Sequence, residues 1–317
     1  MLEKCPKNQT ILDNLVIAYS KINNEKYKKI ICTVSGGSDS DIMLDIVWRC
    51  DKNNKVDYVW FDTGLEYQAT KDHLKYLEEK YKIVIKKVKP KKSIPLSCKE
   101  YGQPFISKNT SEYLMRLQKH GFYWECSEFD MLYQKYPKCK SALQWWCNTN
   151  LTDNFNIRRN KNLKEFIIQN NPTFKISNKC CEYAKKNLLH NLLEKEEYDL
   201  NIFGVRKVEN GIRAVAYKSC FDEGEKFDSY RPLFWYKDSD KIEYEIAYGV
   251  THSKCYTEYG LKRTGCVGCP YGRDFENELE VIKKYEPKLY KAVINIFGES
   301  YDYTRKYRKF IKDMENI

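Results

Sequence analysis

The sequence predicts an α/β fold: a parallel sheet with helices on both faces, a helical insertion, and a C-terminal extension. Three observations carry this. The apolar run Ile30 to Val34 ends in Ser35-Gly36-Gly37-Ser38-Asp39-Ser40, after which Ile42, Met43, Ile46 and Val47 resume helical spacing. A second run, Val56 to Phe61, stops at Asp62-Thr63-Gly64 and is followed by helical spacing from Ala69 to Tyr81. A third strand is expected from Ile83 to Val88. Strands alternating with helices join in parallel, because each crossover returns the chain to the same edge direction.

The remaining elements follow in order. Ile11, Leu12, Leu15, Val16 and Tyr19 predict an N-terminal helix with one apolar face. From about Pro90 to Asn171 the chain is rich in Trp, Tyr, Lys and Asn, without a clear strand, and reads as a mainly helical insertion. The α/β pattern returns at Leu200 to Val205. Beyond Tyr217 an irregular aromatic segment leads to a turn at Gly265 to Cys269, then helices from Glu276 to Lys284 and from Pro287 to Phe297. The expected division is residues 1–216 for the α/β domain, with its insertion at about 90–171, and 217–317 for the extension.

Composition excludes several classes. Hydrophobic residues at 42% are too many for a disordered chain. No apolar run reaches the roughly 20 residues that span a bilayer. Met1 to Cys5 lacks the charged-then-apolar pattern of a secretory signal, so a cytoplasmic protein without a membrane partner is expected. The net charge of +11 suits nucleotide or nucleic-acid partners, although heavy use of Lys, Asn, Ile and Tyr produces the same balance with no partner. The run Lys86, Lys87, Lys89, Lys91 and Lys92 reads first as a solvated strand edge and second as a phosphate-contact surface.

The strongest local signal is the turn from Ser35 to Ser40. Gly36 and Gly37 let backbone amides approach an anion, the helix behind adds its positive end, and Ser35, Ser38 and Ser40 supply hydroxyls. Neither the lysine-containing phosphate loop nor the dinucleotide fingerprint is present.

Thirteen cysteines call for a second explanation. Cys180-Cys181 and Cys266-Val267-Gly268-Cys269 form the outstanding set: a C-x-x-C turn readily faces one metal site, and four thiolates suit either a structural zinc ion or a [4Fe–4S] cluster. Spacing alone favours zinc. Lys179 and Arg263 are placed to offset thiolate charge. Cys32 and Cys50 read as core, Cys5 as terminal, and Cys98, Cys126, Cys139 and Cys147 as packing within the insertion. Of Cys220 and Cys255, the latter is the better candidate for a sulfur-carrying thiol.

Ser-Gly-Gly-x-Asp-Ser after the first strand resembles the PP-loop of ATP pyrophosphatases. Asp62-Thr63-Gly64-Leu65-Glu66, together with Gly204-Val205-Arg206, Glu209 and Arg213, is similar to the phosphoadenosine phosphosulfate (PAPS) reductase branch. The cysteine set resembles the [4Fe–4S] pattern of adenylyl-sulfate reductases and of the DNA phosphorothioation PP-loop protein. The resemblance implies ATP or a sulfonucleotide at Ser35 to Ser40 and Asp62 to Gly64, with Mg²⁺ at Asp39. It implies Arg206 at the phosphate or sulfate end and a cluster on Cys180, Cys181, Cys266 and Cys269. It also implies α/β phosphate cleavage coupled to sulfur transfer, with a nucleic-acid or small acceptor and a sulfur-donor protein such as a cysteine desulfurase. One departure matters: the reductases carry a catalytic cysteine near the C-terminus, and this sequence has none after Cys269. A reductase would need Cys255 or a partner's thiol. A non-catalytic, zinc-stapled nucleic-acid-binding module is the remaining alternative.

Overall fold

Six strands form one sheet in the order β3-β2-β1-β4-β6-β5, in a computed structural model that describes residues 6–209 and 216–315. They are β1 (Ile30–Thr33), β2 (Val56–Phe61), β3 (Ile85–Val88), β4 (Leu200–Ile202), β5 (Phe221–Asp222) and β6 (Asp228–Tyr230). All pairings are parallel except β5 with β6, an antiparallel edge. Arg213 and Cys5 lie outside the described residues.

Alternation along β1 shows why the sheet is covered on both faces. Ile30 and Cys32 join a core with Ile42, Ile46, Leu200 and Ile202, whereas Ile31 packs with Val59, Leu193 and Tyr198 on the other side. A central parallel strand is buried twice over, so its residues are apolar throughout rather than on alternate positions.

The chain divides into two units, and not at the linear boundary that the sequence suggests. A sheet unit takes residues 1–90 and 185–267, and a helical unit takes 91–184 and 268–317. Residues 217–267 therefore go with the sheet. They supply β5 and β6, and a helix over Asp238–Tyr248 whose Tyr244 joins the core of the sheet. That helix falls within the stretch expected to be irregular.

The helical unit has a core of its own, built on Trp145, Trp146, Phe105, Phe166, Leu143 and Leu163. A succession of short helices runs between Ile94 and Gln169, within the stretch read as mainly helical. The C-terminal helix is longer than its sequence signal, Pro287–Glu315 rather than ending at Phe297. Gly298 does not stop it, because Tyr301, Tyr303, Thr304 and Tyr307 continue the buried stripe.

Strand β2 matches its expected bounds, while β1, β3 and β4 are one to three residues shorter than their apolar runs. On the first helix, Gln9–Ile22, the buried positions are Ile11, Ala18 and Ile22; Val16 and Tyr19, expected on the inner face, are exposed. Cys32 and Cys50 are core residues, as expected. Among the described residues no helix is long and apolar enough to cross a membrane.

Candidate functional site

The sheet unit builds one site at the carboxyl end of β1. Gly36 turns the chain at φ +67°, a left-handed conformation in which a Cβ would stand 2.8 Å from Thr70 Cγ2. Gly37 then caps the Ser38–Cys50 helix without a side chain. A Cβ there would meet Ser35 Oγ and Thr264 Oγ1 at 3.3 Å and the Tyr256 hydroxyl at 3.4 Å. The loop is held from within by Ser35 N donating to Ser40 Oγ at 2.9 Å, and from outside by Ser38 N donating to the Tyr256 hydroxyl at 3.1 Å. The first amides of a helix have no intrahelical acceptor, so this end attracts anions.

Asp39, in the first turn, accepts from Arg206 Nε at 2.9 Å through Oδ2 and forms an ion pair with Lys241 Nζ at 2.7 Å through Oδ1. Burial alone would raise its carboxyl, but Lys241 and then Arg206 outweigh this and hold it below the usual carboxylate range. Arg206 also donates to Asp238 Oδ1 at 2.7 Å, and Lys241 donates to Ser38 Oγ at 2.6 Å. The sequence-predicted Asp39 and Arg206 are thus brought together. Lys241 was missed, because its helix was not recognised.

A second missed group lies behind the loop. Asp41 is fully buried, with Oδ2 at 2.8 Å from His252 Nδ1 and 3.1 Å from His73 Nε2. His252 Nε2 in turn reaches Glu245 Oε1 at 2.9 Å. Burial opposes the imidazolium, yet the hydrogen bonds to Asp41 and Glu245 raise its pKa to about 9. Cys255 is fully buried, with Sγ 3.7 Å from Thr70 Oγ1, so its thiol packs behind the glycine turn and is closed off from solvent.

At the end of β2, Asp62 pairs with Lys87 Nζ at 2.8 Å and accepts from Gly64 N at 3.2 Å. Glu66 closes the turn by accepting from Thr63 N at 2.8 Å and Gly64 N at 3.2 Å. Burial, countered by the Thr63 hydrogen bonds and reinforced by the Asp62 charge, pushes the Glu66 carboxyl up. Burial also pushes at Asp62, but Lys87, Glu66 and the Gly64 amide bring it down. Lys87, read first as a solvated edge, therefore has a partner at the candidate site.

The thiols divide between the units. Cys180, Cys181 and Cys269 belong to the helical unit and Cys266 to the sheet unit. In the helical unit a fourth thiol, Cys98, joins them: its helix, Ile94–Tyr101, is tied to the Cys180 segment by Gln103 N to Lys175 O at 2.7 Å and Ser177 N to Gln103 O at 2.9 Å. A hydrogen bond with Cys181 draws the Cys180 thiol down. One with Cys98, burial, and the nearby Cys98 and Cys269 charges push it up on balance. Lys179 is engaged by Glu182 at 2.6 Å. Soft sulfur donors in this number have the chemistry of a zinc or iron–sulfur site. Among the described residues, however, no three His, Cys, Asp or Glu side chains are grouped so as to hold a single metal ion.

Residues 29–134 match the phosphoadenosine phosphosulfate reductase domain family. An uncharacterised protein of Methanocaldococcus jannaschii is 23% identical over 299 residues, 92% of this chain and 47% of that protein. The chain thus spans about half the length of that curated relative. Two solved structures are distantly alike. The PAPS reductase of Candida auris in a phosphate complex has a TM-score of 0.43 at 13% identity, covering 80% of this chain and 87% of that one. The U34-tRNA thiolase of Methanococcus maripaludis, solved with its [4Fe-4S] cluster, has a TM-score of 0.38 at 13% identity, covering 95% and 79%.

Proposed function

We propose, from the match of residues 29–134 to the phosphoadenosine phosphosulfate reductase domain family, that the sheet unit activates an acceptor with ATP. The acceptor oxygen bonds to the α-phosphorus while the α–β bridging oxygen leaves with pyrophosphate. Hydrosulfide supplied by a donor protein then attacks the acceptor carbon, the carbon–oxygen bond breaks, AMP leaves with that oxygen, and the sulfur stays on the acceptor.

The observation that carries this reading is the convergence of Arg206 and Lys241 on Asp39 at the end of the helix behind Gly36-Gly37. Helix amides and the loop position the phosphates, and the two cations stabilise charge on the departing pyrophosphate. Asp39 is the hard oxygen donor that would hold Mg²⁺ here, an ion that keeps its waters and phosphate ligands in such sites. Bound there, Mg²⁺ supplies further neutralisation of phosphate charge. The resemblance of the cysteine pattern supports a [4Fe–4S] cluster in this protein, which would supply sulfur chemistry at the acceptor. A nucleic acid is the acceptor class that the +11 net charge favours.

Calorimetric titration with ATP and adenylyl sulfate in the presence of Mg²⁺ tests the reading. Binding that Gly37→Val abolishes is expected. A folded wild-type chain that binds neither nucleotide overturns it.

A further inference from the structure

We propose that Lys241 reads the polyphosphate of a nucleoside triphosphate, and that in the free protein the Asp39 carboxylate occupies Lys241 as an internal stand-in for phosphate. The inference rests on the nucleotide reading above and narrows its substrate from ATP or a sulfonucleotide to the triphosphate.

Charge favours the triphosphate. Arg206 and Lys241 both bear on one carboxylate, and Arg206 also meets Asp238, whose side chain is 82% exposed and screened by water. Positive charge therefore remains after Asp39 is counted, at the end of a helix that adds more. An anion of several charges satisfies such a site better than one of few. A triphosphate carries more charge than an adenylyl sulfate.

Mobility and anchorage point the same way. Lys241 has a flexible stem and three donors, so its ammonium can pass from a carboxylate to a phosphate oxygen while one N–H stays on Ser38 Oγ, 2.6 Å away. Its helix cannot drift with it. Tyr244 donates to Asp45 Oδ2 at 2.7 Å, and Glu245 reaches Asp41 through His252, so the next turn of Asp238–Tyr248 is fixed to the helix that carries the loop. Only the lysine tip is left to move, and its side chain is 15% exposed. Exchange of Lys241 onto phosphate frees one Asp39 oxygen, the oxygen expected to meet Mg²⁺.

The experiment compares wild type, Lys241→Met and Lys241→Arg, titrated with ATP, ADP, AMP and adenylyl sulfate, with thermal unfolding of each free variant. Loss of a charge-assisted hydrogen bond should weaken ATP about tenfold or more in Lys241→Met, while AMP changes less than about twofold and Lys241→Arg retains most of the affinity. Should Lys241→Met not fold, acetylation of Lys241 in the wild type, read by peptide mass spectrometry, replaces it. Tripolyphosphate should protect this lysine. Unchanged ATP affinity in folded Lys241→Met, equal loss for ATP and AMP, or no protection overturns the proposal. A wild type that prefers adenylyl sulfate overturns the triphosphate assignment while leaving the nucleotide reading intact. A wild type that binds no adenine nucleotide overturns both.

Discussion

Arg206 Nε stands 2.9 Å from Asp39 Oδ2 across 167 residues of sequence. The sheet makes this pairing. β1 and β4 are neighbours, and the chain leaves β1 toward β2 and β3 on one side while β6 and β5 lie on the other. Side chains beyond the carboxyl ends of β1 and β4 therefore face one crevice, the place where open α/β sheets gather ligands.

Arg206→Ala should consequently cost function more than fold. Nucleotide binding is expected to fall about tenfold or more, since a charge-assisted contact is lost. The melting temperature should move by no more than about 4 °C, the shift expected for roughly 1 kcal/mol in a domain of this size. Calorimetry and thermal unfolding decide it: a large stability loss with intact binding would make the pair a staple.

The two loop glycines should respond differently. Gly36→Ala forces an L residue into the left-handed region, which costs about 1–2 kcal/mol, and adds the 2.8 Å contact with Thr70. Denaturant unfolding should register that loss. Gly37→Ala introduces contacts of only 3.3–3.4 Å at an ordinary φ and should fold normally while binding nucleotide less well.

The His252 cation links stability to pH. Its folded pKa is raised from 6.5 to about 9, so its contribution is complete below about pH 6.5 and disappears as pH rises through 9. Between pH 7 and 10 the wild type should lose stability relative to His252→Gln, measured as the difference between their urea midpoints. Parallel curves would show that the imidazolium is not formed.

Asp62→Asn removes the charge that Lys87 meets at 2.8 Å and that raises Glu66. Turnover should drop while the melting temperature changes little, measured by kinetics and thermal unfolding of the same preparation. A variant that unfolds readily would instead assign Asp62 to the turn alone.

Anaerobically prepared protein is expected to be brown. Ser at Cys180, Cys181, Cys266 or Cys269 should bleach it, and Cys50→Ser, in the sheet core, should not. Colourless, folded protein with stoichiometric zinc would favour the zinc alternative. Iron, zinc and acid-labile sulfide analysis separates these outcomes.

How much of this was legible beforehand varies from residue to residue. β2 was readable to the residue, since Val56 to Phe61 is apolar and aromatic apart from Asp57 and is closed by Asp62-Thr63-Gly64. The glycine turn was equally plain, because a left-handed backbone and close approach demand glycine. The Asp238–Tyr248 helix was not, as its inner face is made of Tyr244 and Ala247 and of acids that find partners far along the chain. Asp240 accepts from Asn8 at 2.7 Å, and nothing near Asp240 in sequence announces that.

Local chemistry therefore determined the strands, the phosphate-type loop and the identity of Asp39, Asp62 and Arg206 as candidates, because these depend on backbone conformation and short-range periodicity. Tertiary structure alone decided that Lys241 shares Asp39 with Arg206, that His252 is held between Asp41 and Glu245, and that Cys98 stands beside Cys180. Each of these is a meeting of charges or thiols from distant segments. Their partners are chosen by which strands and helices become neighbours, and a single polar residue carries no periodic signal of the neighbour it will have.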